Sequence, residues 1–253
     1  MLVEDKILPK EINDLYQDLV EGSYQKLNER EKEIIKESLI IAYNAHDGQL
    51  RKSGEPYIYH PLGVAKIVGH DIGLDCDSIA AAILHDVVED TKVTIKDINK
   101  VLGKNIGKIV DGLTKISIIS KKKDYSVQAE NYRRMLLTLH NDIRVILIKI
   151  ADRLHNMRTV EYLNDIKKEK IASESLYIYA PLAHRVGLFN LKNEIEDLSL
   201  KTMNPKVYNS IKNKFDKSQE SQEKYIESFK NLIESNFSYL KIKGEISEIK
   251  TAT

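Results

Sequence analysis

The segment that decides the fold runs from Ile79 to Thr91 and reads IAAAILHDVVEDT. Its first six residues, Ile79–Leu84, are all apolar, and the polar pair Asp77-Ser78 before them is typical of a helix start. We therefore predict a buried helix over residues 79–88. The charged residues within and just after this segment need a physical explanation, because an ionised group in or beside a core is costly unless it has a partner.

The rest of the chain has the same helical pattern. Apolar residues recur at helical spacing in segments such as Glu33–Ala45 and Ile171–Ala180, and sustained alternation of apolar and polar residues is nearly absent. Thr94 and Asn204-Pro205 mark further helix starts. The sequence therefore predicts an all-α fold. The polar segment Gly48–Pro61 interrupts the helical pattern for longest, and its glycines and prolines are typical of a functional loop.

Composition excludes several classes of protein. The 253 residues contain 39 Lys and Arg against 38 Asp and Glu, so the net charge of +1 provides no global positive field for nucleic acid. The longest apolar runs, at residues 79–84 and 145–151, are far shorter than the ~18 residues that span a bilayer. The single cysteine, Cys76, cannot form an internal disulfide, and the first residues do not resemble a signal peptide. We expect a cytoplasmic protein that neither enters a membrane nor binds nucleic acid directly.

Four ionisable side chains, His85, Asp86, Glu89 and Asp90, lie close together at the end of the predicted helix. The three carboxylates repel one another and oppose the negative end of the helix dipole, which predicts a bound cation. On a helix, His85 and Glu89 are four residues apart, as are Asp86 and Asp90, so we expect the cluster to face one cavity. The alternative is an acidic surface patch without a ligand.

Two other segments favour the cavity. His60 opens a helix at the end of the loop, from which its imidazole can face inward. Asp152 follows the apolar run at residues 145–151, where an isolated ionised carboxylate needs a charged partner or a metal ion. Asn156 and Thr159 lie four and seven residues further on, so the three side chains form one polar stripe, which indicates a pocket wall. A capping or core histidine at 60 and an interhelical hydrogen-bond network for the stripe remain open.

The chain contains two more His-Asp pairs, His46-Asp47 and His70-Asp71. Both lie shortly before a glycine at a predicted helix end, where the helix dipole favours histidine for ordinary structural reasons. We therefore expect these two pairs to be structural and the pair at residues 85–86 to be functional.

Six segments closely resemble the hydrolase domain of the Rel/Spo family, whose members make and degrade guanosine tetra- and pentaphosphate. They are Arg51–Pro61, Leu84–Thr91, Asp111–Lys115, Ala151–Thr159, Tyr179–Arg185 and Glu194–Leu198. The resemblance covers roughly residues 30–205. It implies a helical, metal-dependent phosphohydrolase domain of the HD type, in which adjacent His and Asp residues bind one ion. The implied activity is a manganese-dependent 3′-pyrophosphohydrolase that releases GDP or GTP and pyrophosphate.

The resemblance also implies roles for individual residues. The implied metal ligands are His60, His85, Asp86 and Asp152, and the implied catalytic carboxylates are Glu89 and Asp90. The residues implied to surround the nucleotide are Arg51, Lys52, Ser53, Asn156, Thr159 and Leu163. Two imidazoles and two carboxylates form a donor set that suits Mn²⁺, with zinc as the main competitor. Family members that have lost hydrolysis disrupt the segment at residues 85–90, whereas it is intact here, so we expect hydrolysis.

The domain prediction places the hydrolase domain in residues 1–203 and a helical extension or connector in residues 204–253. In the family a separate synthetase domain follows the hydrolase domain, so we expect this chain to degrade its nucleotide without making it. The lysine run at residues 121–123 has two interpretations, an exposed loop or a contact to a phosphate-bearing ligand.

Two other functions remain open. A generic HD phosphohydrolase acting on other nucleotides shares the metal ligands but does not need the loop at residues 51–58 or the stripe at 152–159. A non-catalytic module that senses guanine nucleotides is the second alternative, and the intact ligands and carboxylates argue against it.

Overall fold

The computed structural model describes residues 8–120 and 142–239. Within these ranges the protein is helical, and an isolated bridge between Leu50 and Pro56 is the only pairing of extended backbone. The predicted all-α fold is confirmed. The lysine run at 121–123 lies outside the described residues, so its two interpretations stay predictions. The helices are α1 (Lys10–Glu21), α2 (Glu29–Ala45), α3 (Tyr59–Lys66), α4 (Cys76–Ile83), α5 (Val87–Asp90), α6 (Ile95–Val101), α7 (Lys104–Ser120), α8 (Ile143–Arg158), α9 (Asp165–Glu174), α10 (Ala180–Arg185), α11 (Phe189–Met203) and α12 (Pro205–Tyr239).

Three short turns of other helix types connect these elements. A π-helical turn, Ile67–Ile72, continues α3 and ends at Gly73, whose φ of 77° is readily adopted only by glycine. A second π-helical turn, Ser175–Tyr179, joins α9 to α10, and a 3₁₀ turn, Val160–Tyr162, follows α8. Thr94 caps α6 in a reciprocal capping box with Asp97, as the sequence predicts for a start at Ile95.

Helix α4 lies in the middle of the core. Asp75 caps its N-terminus by accepting a hydrogen bond from the backbone N–H of Ser78, so the helix begins three residues before the predicted Ile79. Residues 79–84 are all fully buried, as the apolar run predicts. Three successive alanines in this run keep the helix surface small, and α2, α3 and α7 all pack against it.

The predicted continuous helix over residues 79–88 is wrong in one respect. Helix α4 ends at Ile83, and a turn at residues 84–86 separates it from the short helix α5. In a continuing helix the carbonyl of Ala82 would accept a hydrogen bond from the N–H of Asp86. Here the ring Nδ1 of His85 lies 2.7 Å from that carbonyl oxygen and takes the place of the helical donor. The turn that results carries both residues of this His-Asp pair.

Helix α8 packs against α3 and α7 and carries the predicted polar stripe. Asp142 caps its N-terminus, and all residues at 145–151 except Leu147 are buried. The burial includes Lys149, which interrupts the apolar run. Because His60 lies in the first turn of α3, the packing of α3 on α8 brings His60 beside Asp152.

The C-terminal helices are less buried. Helix α11 packs against α8, α9 and α10, and α12 packs against α11. Four apolar side chains of α12 are about half exposed, namely Ile211, Phe215, Phe229 and Leu232. None of the described helices combines the length and the apolar content that crossing a bilayer requires. The predicted division of the chain at residue 203 coincides with the break between α11 and α12, and it stays a prediction.

Candidate active site

Four side chains predicted to bind a metal come together from three parts of the chain. His60 lies on α3, His85 and Asp86 lie in the turn between α4 and α5, and Asp152 lies on α8. Ligating atoms of His60, His85 and Asp152 lie within 4.8 Å of one another. Asp86 Oδ2 lies 3.0 Å from Nε2 of His85 and 3.8 Å from Nε2 of His60. The predicted set is therefore one cluster in space.

The two imidazoles form the closed side of this cluster. The side chains of His60 and His85 are 3% and 0% exposed, whereas those of Asp86 and Asp152 are 18% and 17% exposed. Asp152 Oδ1 lies 3.3 Å from Nε2 of His60 and 3.8 Å from Nε2 of His85. A cation held among these atoms would have nitrogen donors behind it and carboxylate oxygens toward solvent.

The position of the ring proton on His85 indicates that a cation fits among these donor atoms. A carbonyl oxygen only accepts hydrogen bonds, so Nδ1 of His85 carries the proton that it donates to Ala82. In the neutral ring the lone pair is then on Nε2, which is buried and has no hydrogen-bond partner among the described residues. The nearest anionic oxygens, on Asp86 and Asp152, would repel this lone pair. A cation between them, or a second proton on His85, removes the repulsion.

Electrostatics keep both carboxylates ionised. Burial opposes the ionisation of Asp152, but Lys149, with Nζ 3.6 Å from Oδ2, and the two imidazoles outweigh burial and hold its pKa well below the usual value. Burial also opposes the ionisation of Asp86, and His85 outweighs it, so the pKa of Asp86 is lowered. Burial lowers the pKa of His60, whereas for His85 the neighbouring carboxylates outweigh burial and raise the pKa.

The cluster opens into a cavity of about 220 Å³. Glu89 and Asp90, the predicted catalytic carboxylates, line this cavity, and so do Arg51 and Asn156 from the predicted nucleotide set. Lys149 and Arg153 add two cationic side chains to the wall. The cavity thus combines a candidate cation site, two further acids and several basic groups, which is a suitable surface for a phosphate-bearing ligand.

The predicted nucleotide residues divide into two groups. Arg51 is held in place by Asn156, because its Nη2 donates to Asn156 Oδ1 at 2.9 Å. The remaining four, Lys52, Ser53, Thr159 and Leu163, do not line the cavity. Lys52 is exposed beside Arg51, and the Thr159 hydroxyl donates to the carbonyl of His155 on its own helix at 3.2 Å.

Four further side chains of the site were not assigned from the sequence: Tyr57, Lys149, Arg153 and His155. The Tyr57 hydroxyl donates to Asp86 Oδ2 at 2.6 Å, and burial together with Asp86 raises its pKa far above the usual value, so the phenol stays a donor. The signal for Lys149 was its position inside an apolar run. Arg153 is paired with Glu174 at 3.1 Å and covers the ring of Tyr179, with 4.4 Å to the ring centroid.

The other two His-Asp pairs lie at helix ends, as predicted. His46 follows the last residue of α2, and its ring stacks on that of Tyr57 with 4.5 Å between centroids. His70 lies in the π-helical turn that ends at Gly73, and its Nε2 lies 3.0 Å from the carbonyl oxygen of Leu19. Each of these rings therefore has a structural contact of its own.

Comparisons with known proteins found several similar sequences and a similar solved structure. A protein of Myxococcus xanthus named GTP pyrophosphokinase is 44% identical over 218 residues, which is 85% of this chain and 29% of the relative. A Vibrio cholerae protein named guanosine-3′,5′-bis(diphosphate) 3′-pyrophosphohydrolase is 44% identical over 198 residues, which is 78% of this chain and 28% of the relative. A solved structure, described as a metazoan ortholog of SpoT that hydrolyses ppGpp, aligns with a TM-score of 0.42 at 25% identity and covers 67% of this chain and 86% of its own.

The two sequence relatives confirm the resemblance seen in the sequence. The chain spans less than a third of the length of both named relatives. The family model described as the HD domain matches residues 38–189, more than half of the chain, and this range includes all four side chains of the cluster. The chain belongs to the HD-domain family.

Proposed function

We propose that this chain is a Mn²⁺-dependent 3′-pyrophosphohydrolase of guanosine tetra- and pentaphosphate. The observation that carries the proposal is that the four-residue cluster opens into the same cavity as Glu89, Asp90 and Arg51. The name of the Vibrio cholerae relative supports the substrate and the reaction. The part that aligns with this chain is less than a third of each relative. The proposal therefore concerns the hydrolysis reaction alone.

The cation would be held by His60, His85, Asp86 and Asp152. Two nitrogen and two oxygen donors suit Mn²⁺ and leave positions for water and a phosphate oxygen. When bound, the ion would act as a Lewis acid and lower the pKa of a water molecule. Lys149 Nζ lies 3.6 Å from Asp152 Oδ2, whereas Oδ1, 3.3 Å from Nε2 of His60, accepts from Asn156 and has a second lone pair for the cation.

Glu89 and Asp90 would manage the protons of the reaction. Water oxygen bonds to the phosphorus that carries the 3′ oxygen, the bond between this phosphorus and the 3′ oxygen breaks, and pyrophosphate leaves. One carboxylate takes the proton that the water loses, and a proton is returned to the 3′ oxygen to give the 3′ hydroxyl. Both side chains follow the turn that carries Asp86 by three and four residues, so α5 holds them at the edge of the cluster.

Arg51 would bind the nucleotide. Its guanidinium forms part of the cavity wall and can bind a phosphate with two N–H groups or stack on a base. Lys52, exposed next to it, adds positive charge at the mouth of the site. Roles for Ser53, Thr159 and Leu163 in binding the nucleotide stay predictions from the family resemblance.

The test is to incubate the purified chain with Mn²⁺ and guanosine tetraphosphate and to separate the products by anion exchange. We expect equal amounts of GDP and pyrophosphate, and no products from the Asp152→Ala variant or in the presence of a chelator. Turnover of other nucleoside phosphates or cyclic nucleotides without turnover of the tetraphosphate would instead indicate a generic HD phosphohydrolase. Tight binding of the tetraphosphate without turnover would indicate a sensor module.

A further inference from the structure

His155 lies between the predicted nucleotide residue Arg51 and the candidate metal ligand His60. Its Nδ1 lies 3.0 Å from Nδ1 of His60 and 3.3 Å from Nη1 of Arg51. His155 is 104 residues from Arg51 and 95 residues from His60, so these contacts exist only in the folded protein. Nothing in the roles assigned above uses His155.

The positions of the protons follow from the chemistry of the three groups. A guanidinium donates hydrogen bonds and never accepts them, so Nδ1 of His155 must present a lone pair to Arg51. Two ring nitrogens only 3.0 Å apart need one proton between them. That proton is then on Nδ1 of His60, and the single lone pair on Nδ1 of His155 accepts it while sharing the longer 3.3 Å contact with Arg51. Neutral His60 then has its lone pair on Nε2, the atom that lies 3.3 Å from Asp152 Oδ1.

We propose that His155 is a positioning residue that prepares His60 to bind the metal ion. By accepting the Nδ1 proton of His60, it fixes both the tautomer and the orientation of the ring, and Nε2 is left as the donor atom. Ring nitrogens of metal-binding histidines are commonly fixed in this way by an acceptor on the side away from the ion. The inference rests on the metal role proposed for His60, but it does not depend on the identity of the substrate.

The space that His155 occupies supports this assignment. Its ring lies over Gly63, which is on the same helix as His60 and one turn further on. A Cβ atom at residue 63 would lie 2.2 Å from Nε2 of His155, so the ring fits only because residue 63 is glycine. Gly63 lies against the Nε2 side of the ring, and Arg51 and His60 both contact Nδ1. The ring therefore has little freedom to move.

A second, parallel connection starts from the same arginine. Nη2 of Arg51 donates to Asn156 Oδ1 at 2.9 Å, and Nδ2 of Asn156 donates to Asp152 Oδ1 at 2.7 Å. Arg51 thus reaches His60 through His155 and Asp152 through Asn156. A ligand that draws Arg51 away would remove this partner from both His155 and Asn156. We therefore expect bound nucleotide to change the affinity for Mn²⁺, and bound Mn²⁺ to change the affinity for nucleotide by the same factor.

The test is calorimetric titration of Mn²⁺ into nucleotide-free protein, comparing wild type with His155→Phe and His155→Asn. Phenylalanine keeps a ring but has no acceptor, whereas asparagine keeps an acceptor oxygen close to the position of Nδ1. We expect the phenylalanine variant to bind Mn²⁺ about 10- to 100-fold more weakly, the usual cost of removing the partner of a metal ligand, and the asparagine variant to recover most of the affinity. His184→Phe, at an exposed histidine on α10, is the matched control.

Two results would overturn the proposal: Mn²⁺ affinity within twofold of wild type in both variants, or an equal loss in both, which would assign His155 a packing role. A second readout is the NMR spectrum of the histidine ring nitrogens in metal-free protein, in which we expect Nδ1 of His155 to be unprotonated.

Asp152→Ala separates this proposal from the proposed function. If it retains wild-type Mn²⁺ affinity, the metal site itself is wrong, whereas loss of Mn²⁺ in that variant with no hydrolysis by wild type would contradict only the substrate.

Discussion

Replacing Tyr57 with phenylalanine tests whether the contacts around the candidate metal ligands matter for metal binding. The change removes one hydroxyl group, which donates to Asp86 Oδ2 at 2.6 Å. The same oxygen lies 3.0 Å from Nε2 of His85, so the phenol holds the carboxylate toward the cluster. Burial and Asp86 raise the pKa of this phenol far above its usual value, so the group stays protonated and donates.

The expected size of the effect follows from the charge on the acceptor. A hydrogen bond to a charged group contributes about 1.5–3 kcal/mol, and about 1.4 kcal/mol corresponds to tenfold in a binding constant. We therefore expect Tyr57→Phe to weaken Mn²⁺ binding roughly 10- to 100-fold, the range found for other partners of metal ligands. A second effect acts in the opposite direction, because Asp86 attracts a cation more strongly without the phenol, although its carboxylate is then no longer held in one orientation.

The chain supplies a matched control two residues away. The Tyr59 hydroxyl donates to Glu11 Oε2 at 3.1 Å on the exposed side of α3, away from the cluster. Tyr59→Phe removes the same atom and should leave the Mn²⁺ affinity unchanged. The measurement is calorimetric titration of both variants with Mn²⁺, with circular dichroism to verify that each is folded. Dissociation constants within twofold of each other would refute the reasoning.

Further predictions concern five residues of the site. Asp152→Ala should abolish Mn²⁺ binding but keep most of the helix content, which titration and circular dichroism measure, because the apolar core does not need the ion; binding at wild-type strength would remove Asp152 from the ligand set. Glu89→Gln and Asp90→Asn should retain Mn²⁺ and lose about 10²-fold or more in kcat, since positioned proton transfer is worth about 10²–10⁴-fold; near-normal kcat in both would exclude a proton-transfer role. Arg51→Ala should raise KM more than it lowers kcat in steady-state assays, and a defect in kcat alone would place Arg51 on the charge that develops during the reaction. Lys149→Met should destabilise the metal-free protein by about 3–5 kcal/mol, because it leaves the Asp152 carboxylate without its buried cation. Urea unfolding measures the difference in stability between this variant and wild type, which should be smaller with Mn²⁺ than without it. Equal differences under the two conditions would contradict this.

Much of the fold was predictable because helix formation depends on local features. Caps at Thr94 and Asn204, apolar residues at helical spacing and the absence of alternation all act within a few residues, and the structure confirms the all-α prediction. The turn at residues 84–86 was missed because its cause is a side chain. The ring of His85 bonds to the carbonyl of Ala82, and periodicity alone gives no reason for the ring to do so.

The candidate ligands were accessible to sequence reasoning for a different reason. His85 and Asp86 follow one apolar run and Asp152 follows another, so burial was expected, and a buried ionisable group requires a partner. The same reasoning could have been applied to Lys149, which lies inside the second run and is 6% exposed. A buried cation three residues before a buried carboxylate is a natural partner for it, and Lys149 Nζ lies 3.6 Å from Asp152 Oδ2.

Tyr57 and His155 could not be assigned in this way, because their chemistry depends on distant residues. Tyr57 is 29 residues from Asp86, and His155 is 95 residues from His60, so no spacing rule relates them. In the sequence His155 is one more polar residue in a stripe that already contains Asp152 and Asn156. Only the folded chain shows that its Nδ1 meets both His60 and Arg51. The glycine at residue 63 is the one local trace of this arrangement, since it leaves room for the ring, but a glycine in a helix does not show which side chain will fill the space beside it.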